Sequence, residues 1–384
     1  MILLVSGQPM PNLLAALAPE LEVEEAHLVV SGDMRTSGAG DRLAGVLEGR
    51  GLRVTWHDVA DPFQPGPTRA VVTRLLAATP AQSIVNLTGG TKPMSLGAYR
   101  AATEAGVRDI LYLDHETGLL RWLEGNRPPF PATARLRVAE VVAAHGCDVS
   151  RAASRPDDRL ELARLLGSRL EPGLLEAWNR LMAAIERTSS KRRNWKPGAT
   201  PVDEARSAST LAAPFDMAAL ETLLDDLSHR HLLTRAGNTV TVHRRIDHAF
   251  LAGGWWELLV FAALESVADR LGLHEVVRNL EVRDSAGAEN EMDVAAMRGP
   301  GLLLFECKTV RLTGSDTREK AGSILYKLKY LTRLGGLGTR LFLVSRLPVE
   351  GGIRERFRTE RIGLVDDVGP DGLADALAQA IRGG

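Results

Sequence analysis

The sequence predicts an α/β protein of 384 residues, with two α/β lobes joined by a helical bridge. Three observations carry this. Residues 1–130 alternate short apolar runs with amphipathic segments. Residues 131–250 keep mainly a helical period. Residues 251–384 place an apolar helix ahead of a hairpin, in which Glu291–Met297 and Leu302–Lys308 are turned by Arg298-Gly-Pro-Gly301.

The first lobe opens with a strand over Met1–Ser6, a loop at Gly7–Pro11 and a helix over Asn12–Leu21. A strand over Glu25–Ser31 leads through Ser37-Gly-Ala-Gly40 to a helix over Asp41–Gly49. Leu52–Asp58 reads as a strand, Pro67–Ala78 as a helix and Ser83–Leu87 as a strand. Thr88-Gly-Gly-Thr91 turns into a helix over Pro93–Ala105, and Asp109–Leu113 is the last strand. This alternation predicts a parallel sheet with helices on both faces. Pro128-Pro-Phe-Pro131 closes the lobe.

In the bridge, Leu136–His145, Leu160–Leu170 and Leu174–Ile185 read as helices, with Trp178 as a core residue. Arg187–Arg206 reads as a linker carrying the basic cluster Lys191-Arg-Arg193 beside Trp195. Helices over Met217–Leu227 and Ser228–Leu232 precede a β-pair, Leu233–Arg235 and Thr239–His243, around Gly237-Asn238. That order suits a winged-helix-like module. The second lobe begins with a helix over Gly253–Leu271 and a strand over Glu275–Arg283, then the hairpin. A helix over Asp316–Leu334, a strand over Arg340–Ser345 and a helix over Gly372–Ile381 complete it.

Hydrophobic residues at 45% and charged residues at 25% fit an ordinary globular chain. Two cysteines, Cys147 and Cys307, are too few for a disulfide framework or a cysteine-based zinc site. His229, His231, His243 and His248 follow no zinc-binding spacing. Met1-Ile-Leu-Leu-Val lacks a basic leader, and no apolar stretch is expected to span a membrane, so the expected location is the cytoplasm. The net charge of −1 advertises no nucleic-acid binding, but Arg298–Arg361 holds 14 Lys and Arg against 6 Asp and Glu. A basic surface beside the hairpin would suit a phosphate backbone.

Two stretches carry chemistry. Strand alternation puts Glu306 and Lys308 on one face and Phe305 and Cys307 on the other, with Asp293 on the partner strand. Two carboxylates and a lysine at the end of an apolar strand need a partner, and a hard divalent cation is one. Asp293…Glu306-Cys-Lys308 resembles the site of the PD-(D/E)XK nucleases. The resemblance implies a restriction-endonuclease-like lobe in which Asp293 and Glu306 hold Mg²⁺ or Mn²⁺ and Lys308 orients water. Gly-x-Trp-x-Glu, ending at Glu257, resembles the preceding helix of these nucleases, which makes Glu257 an assisting ligand. Glu291 shares the face of Asp293 and is a further candidate. Lys327 is the candidate for phosphate contact.

The second stretch is Asn86-Leu-Thr-Gly-Gly-Thr-Lys-Pro-Met94, with Ser6-Gly-Gln-Pro-Met-Pro-Asn12 after the first strand. Glycines, hydroxyls, a lysine and a helix start make a phosphate cradle that is not a P-loop. Together these loops resemble the CARF sensor domains of type III CRISPR ancillary effectors, a Rossmann-like, dimeric family. The resemblance implies cyclic oligoadenylate, favouring cyclic tetra-adenylate, facing Ser6, Gln8, Asn12, Thr88, Gly89, Gly90, Thr91, Lys92 and Met94. Ser31, Gly32 and Met34 are candidates by position. The combined expectation is a homodimeric, ligand-activated nuclease acting on DNA, RNA or both. The alternatives are a nucleic-acid-binding regulator with an inactive nuclease fold and a dinucleotide enzyme. The missing G-x-G-x-x-G turn weighs against the latter.

Overall fold

A computed structural model describes residues 1–77, 82–155, 157–189, 195–206, 215–284, 287–312 and 315–383. The first lobe runs β1 (Ile2–Leu4), α1 (Met10–Ala16), β2 (Glu25–Ser31), α2 (Gly32–Thr36), α3 (Ala39–Gly49), β3 (Arg53–Val59) and α4 (Pro65–Leu76). It continues through β4 (Val85–Asn86), α5 (Lys92–Glu104), β5 (Ile110–Asp114), β6 (Leu119–Trp122) and β7 (Phe130–Pro131). The strand order is β3-β2-β1-β4-β5-β6-β7. β1 to β5 are parallel, as the alternation predicts. β6 and β7 add an antiparallel edge that sequence reading missed. β6 is four residues and β7 only two, too short to show a period.

The bridge comprises α6 (Val138–Ala144), β8 (Cys147–Ala153), α7 (Leu160–Arg169), α8 (Pro172–Thr188), β9 (Thr200–Pro201), α9 (Met217–His229), β10 (Thr234–Ala236) and β11 (Thr239–Thr241). Trp178 is fully buried, and its Nε1 donates to the Leu251 carbonyl at 2.8 Å. β10, β11 and β9 form a small antiparallel sheet beside α9, the winged arrangement expected. A separate helix over 228–232 does not form, because α9 runs on to His229. The expected linker is partly folded: Val202–Arg206 is a 3-10 turn, and Trp195 Nε1 donates to the Val242 carbonyl at 3.0 Å. Lys191-Arg-Arg193 lies outside the described residues.

The largest departure is β8. A strand inside the expected helical bridge, it pairs antiparallel with β12 (Leu273–Asp284) and forms the edge of the second sheet. Its sequence, CDVSRAA, alternates too weakly to announce a strand. Before β12, α10 (Arg245–Ala249) passes through a π-helical turn at Phe250–Gly254 into α11 (Trp255–Ser266), followed by α12 (Ala268–Leu271). After β12 come β13 (Glu289–Arg298), β14 (Gly301–Lys308), α13 (Ser315–Leu331), β15 (Arg340–Ser345), α14 (Gly351–Thr359), β16 (Gly363–Asp366) and α15 (Pro370–Arg382). The sheet order is β16-β15-β14-β13-β12-β8, antiparallel from β8 to β14 and parallel from β14 to β16. α14 and β16 went unread in the sequence.

Contrary to the expectation of no such stretch, the helical run Arg245–Ser266 is long and apolar enough to cross a membrane by length and composition. Here it is a core element. Trp255, Trp256, Val260 and Phe261 are fully buried, and Trp256 Nε1 donates to the Val344 carbonyl at 3.1 Å. A second apolar cluster is continuous between the lobes. It joins Leu3, Leu13 and Leu28 of the first sheet, through Val138 and Val141 of α6, to Leu280, Leu304 and Leu328.

Candidate functional site

The hairpin forms as expected. Its ladder runs from Arg298–Gly301 to Val294–Phe305 and ends there. One step beyond, Asp293 lies midway along β13, whose outer half stays paired with β12, and Glu306 lies two residues before the end of β14. In place of a further ladder bond, the Cys307 backbone N–H donates to Asp293 Oδ2 at 2.6 Å. β14 keeps its pairing with β15 through Lys308–Ser345, so Glu306 and Lys308 stand on a fixed strand. Phe305 and Cys307 enter the core cluster that holds α11, which leaves Glu306 and Lys308 facing the opposite side, toward α13.

Glu306 is 3% exposed. Its Oε1 accepts from Lys308 Nζ at 2.6 Å and its Oε2 from Lys327 Nζ at 2.7 Å. Lys327 was expected to face a phosphate, but its ammonium lies on the Glu306 carboxylate. Only the packing of α13, with Leu325 and Leu328 buried, places it there. Burial opposes ionisation of Glu306, but Lys308 and Lys327 hold its carboxyl below the usual range. Burial also disfavours charge on Lys308, and the Glu306 and Asp293 carboxylates reverse this and raise it. Asp293 is pushed up to about 6 by burial and by Glu306.

Glu257, in the first turn of α11, is pushed up to about 8 by burial, then by Asp293 and Glu291. Glu291 is exposed and lies opposite Glu281 on β12. Among the described residues no group of three or more His, Cys, Asp or Glu side chains converges as a ready metal cluster. The assisting role expected of Glu257 is thus not built as a third ligand in this arrangement. The pair Asp293 and Glu306 still fits a hard cation, since Mg²⁺ commonly takes one or two carboxylates and completes its shell with water and substrate phosphate. The four bridge histidines form no such group either, and His248 Nε2 lies 2.9 Å from the Met182 carbonyl.

The basic excess of Arg298–Arg361 is largely taken up internally. Arg298 and Arg340 donate to the Ile381 carbonyl, Arg354 pairs with Asp366, and Lys329 pairs with Glu360. The expected open basic surface is therefore smaller than the count suggests.

In the first sheet β1 lies between β2 and β4, so the strand order reverses between β1 and β4. Ligands of open α/β sheets bind at such a point. The two loops predicted to form the cradle follow these two strands. Buried Asn86 staples them: its Nδ2 donates to Asn12 Oδ1 at 3.0 Å and to the Pro11 carbonyl at 3.2 Å. Asn12 is fully buried and donates to the Leu4 carbonyl at 2.8 Å. Met94 is 1% exposed in the core. These two positions support the cradle from beneath, a correction to their expected place on the ligand.

Thr88 and Thr91 are likewise occupied within the loop. Thr88 Oγ1 donates to Asn86 Oδ1 and accepts from the Leu113 N–H, both at 2.7 Å. Thr91 Oγ1 donates to the Pro62 carbonyl and caps α5 by accepting from Met94 N–H at 3.3 Å. Gly89 and Gly90, with exposed Lys92, line a cleft of about 560 Å³. Tyr99 and Tyr112, absent from the sequence-derived set, line its other side. Ser6 Oγ accepts from the Gln8 N–H at 3.3 Å, which shapes the β1 loop, and Gln8 is exposed. Ser31 caps α2 by accepting from Met34 N–H.

Comparison with known proteins gives two family matches. The Card1 CARF domain matches residues 1–140. The endonuclease domain described as Card1-like matches residues 244–381. No curated protein matches the chain. Among solved structures, protein VC1899 from Vibrio cholerae is 20% identical with a TM-score of 0.76, covering 99% of this chain and 96% of its own. Can2 from Sulfobacillus thermosulfidooxidans, in complex with cyclic tetra-adenylate, is 20% identical with a TM-score of 0.74 and coverages of 99% and 98%. A type III CRISPR defence DNA nuclease activated by cyclic oligoadenylate is 18% identical with a TM-score of 0.60, covering 98% of this chain and 51% of its own. At these identities the solved structures establish the shared fold. The two family matches span both lobes, and the chain carries a Card1 CARF domain followed by a Card1-like endonuclease domain.

Proposed function

We propose that this chain is a metal-dependent endonuclease of CRISPR antiviral defence that a cyclic oligoadenylate switches on. In this reading cyclic tetra-adenylate is the activator and Mg²⁺ or Mn²⁺ the cation. The protein works as a cytoplasmic homodimer, cleaving single-stranded nucleic acid and nicking duplex DNA. One observation carries the reading: Asp293, Glu306 and Lys308 stand together where the β13–β14 ladder ends. The likeness to Can2 in complex with cyclic tetra-adenylate supports the choice of activator.

A divalent cation on Asp293 and Glu306 would bring positive charge to the scissile phosphate. The protein's own groups set the rest. Lys308, 2.6 Å from Glu306 Oε1, orients water and offsets charge developing on the phosphate oxygens. The Cys307 N–H fixes the Asp293 carboxylate. The cleft beside the β4–α5 turn, between it and Tyr112 of β5, takes the anionic ring against glycine backbone and Lys92.

The test is cleavage of supercoiled plasmid and of labelled single-stranded RNA and DNA, with Mn²⁺ or Mg²⁺, with and without cyclic tetra- or hexa-adenylate. Cleavage should need both cation and ring, and Glu306→Ala should lower it by about 10²-fold or more. Ring binding without cleavage under any condition would favour a regulator with an inactive nuclease fold.

A further inference from the structure

Glu306 is held from two elements. Lys308 comes from its own strand, two residues on, and Lys327 comes from α13 at 2.7 Å. A cation arriving at Glu306 meets two positive charges in a half-buried site, where such repulsion is screened less than in water. Lys308 is fixed by β14. Lys327 belongs to a separate helix, and its side chain is 35% exposed against 27% for Lys308. It is the lysine with an open way out.

The far end of α13 reaches the other lobe. After Leu331 the chain passes through short 3-10 turns at Thr332–Leu334 and Gly336–Gly338 into β15. Gly336 has φ +68° and is packed so closely that a Cβ there would lie 2.5 Å from His145 Nε2 and 3.0 Å from Gln8 Oε1. Gln8 belongs to the β1 loop that flanks the strand-order reversal. His145 follows the last residue of α6, and its Nδ1 lies 2.8 Å from the Val141 carbonyl. α13 therefore has Lys327 on a catalytic carboxylate and leads into a turn seated against the sensor loop.

We propose that Lys327 is a positioning residue that opposes the cation at Glu306, and that the Gly336 turn withdraws it when the sensor loop moves. The inference rests on the nuclease reading above. Ligand at the β1–β4 crevice presses Gln8 on Gly336, α13 shifts, and Lys327 leaves Glu306 Oε2. Lys308 stays in place. Cation affinity, rather than substrate affinity, is then the quantity the activator changes.

The test is calorimetric titration of Mn²⁺ into the full-length protein, with and without cyclic tetra-adenylate, using Glu306→Ala to subtract binding elsewhere. Without the ring, Lys327→Met should bind Mn²⁺ about tenfold or more tightly than wild type. Lys327→Arg, which keeps the charge, should stay near wild type. Wild type should gain affinity on adding the ring, and Lys327→Met should gain little. Gly336→Ala should bind the ring yet lose the gain. Lys327→Gln repeats the measurement should the methionine variant misfold, with circular dichroism as the folding check. Lys327 variants no tighter than wild type, or a full gain in Gly336→Ala, would overturn the proposal. If wild type binds Mn²⁺ and the ring in those cases, the nuclease reading stands. Wild type that binds no Mn²⁺ at Glu306 would overturn both.

Discussion

Asp293 shows what the proposed cation position costs the fold. Its pKa rises from 3.8 to about 6, through burial and the nearby Glu306 charge. A carboxyl whose folded-state pKa is raised stabilises the fold below its unfolded value and loses that contribution as pH rises through the folded value. The contribution is thus fully present below about pH 4 and gone above about pH 6. The difference is about 3 kcal/mol, as an order of magnitude. Asp293→Asn keeps an oxygen for the Cys307 N–H and removes the charge. In chelator at pH 8 it should melt higher than wild type, and the gap should close toward pH 4. A gap independent of pH would show that the charge is not the cause. The triad itself was legible in the sequence, because strand parity fixes the face of Glu306 and Lys308. The bond of Lys327 to Glu306 was not, since it depends on how α13 packs across the sheet.

At the scale of elements, the β4–α5 turn is set by close approach. A Cβ on Gly89 would lie 1.9 Å from the Leu4 carbonyl, which also accepts from Asn12. Gly89→Ala should push the turn off β1, break the Asn86–Asn12 staple and weaken cyclic tetra-adenylate binding by about tenfold or more, measured by calorimetry. Unchanged affinity would place the ligand elsewhere. The central strands and long helices were readable because burial imposes a period of 2 or 3.6 on them. β7, with two residues, has no period, and exposed β8 has little apolar contrast. The glycines and threonines of the cradle were legible as a turn. That Asn12 and Met94 point beneath it follows from the packing of α1 and α5, which no local pattern states.

Across the whole molecule, the lobes share an apolar cluster from Leu3 and Leu13 through α6 to Leu304 and Phe357. Breaking the contact would expose that surface, so the lobes should unfold together. Melting followed by tryptophan fluorescence and by far-ultraviolet circular dichroism should give one coincident midpoint. Two separated transitions would mean that the lobes are independent. The same continuity carries a lesson for recombination between relatives. One of the two edge strands of the nuclease sheet, β8, leaves α6 after only His145 and Gly146. A graft that exchanged sensors at the proline-rich stretch 128–131 would bring a foreign α6 surface against the nuclease. A graft joined after Gly146 would leave the host α6 behind and ask a native edge strand to follow a foreign sensor. The natural seam lies beyond Ala153, so a transplanted sensor must bring α6 and β8 with it. The edge strand of the catalytic sheet is inherited with the input it serves.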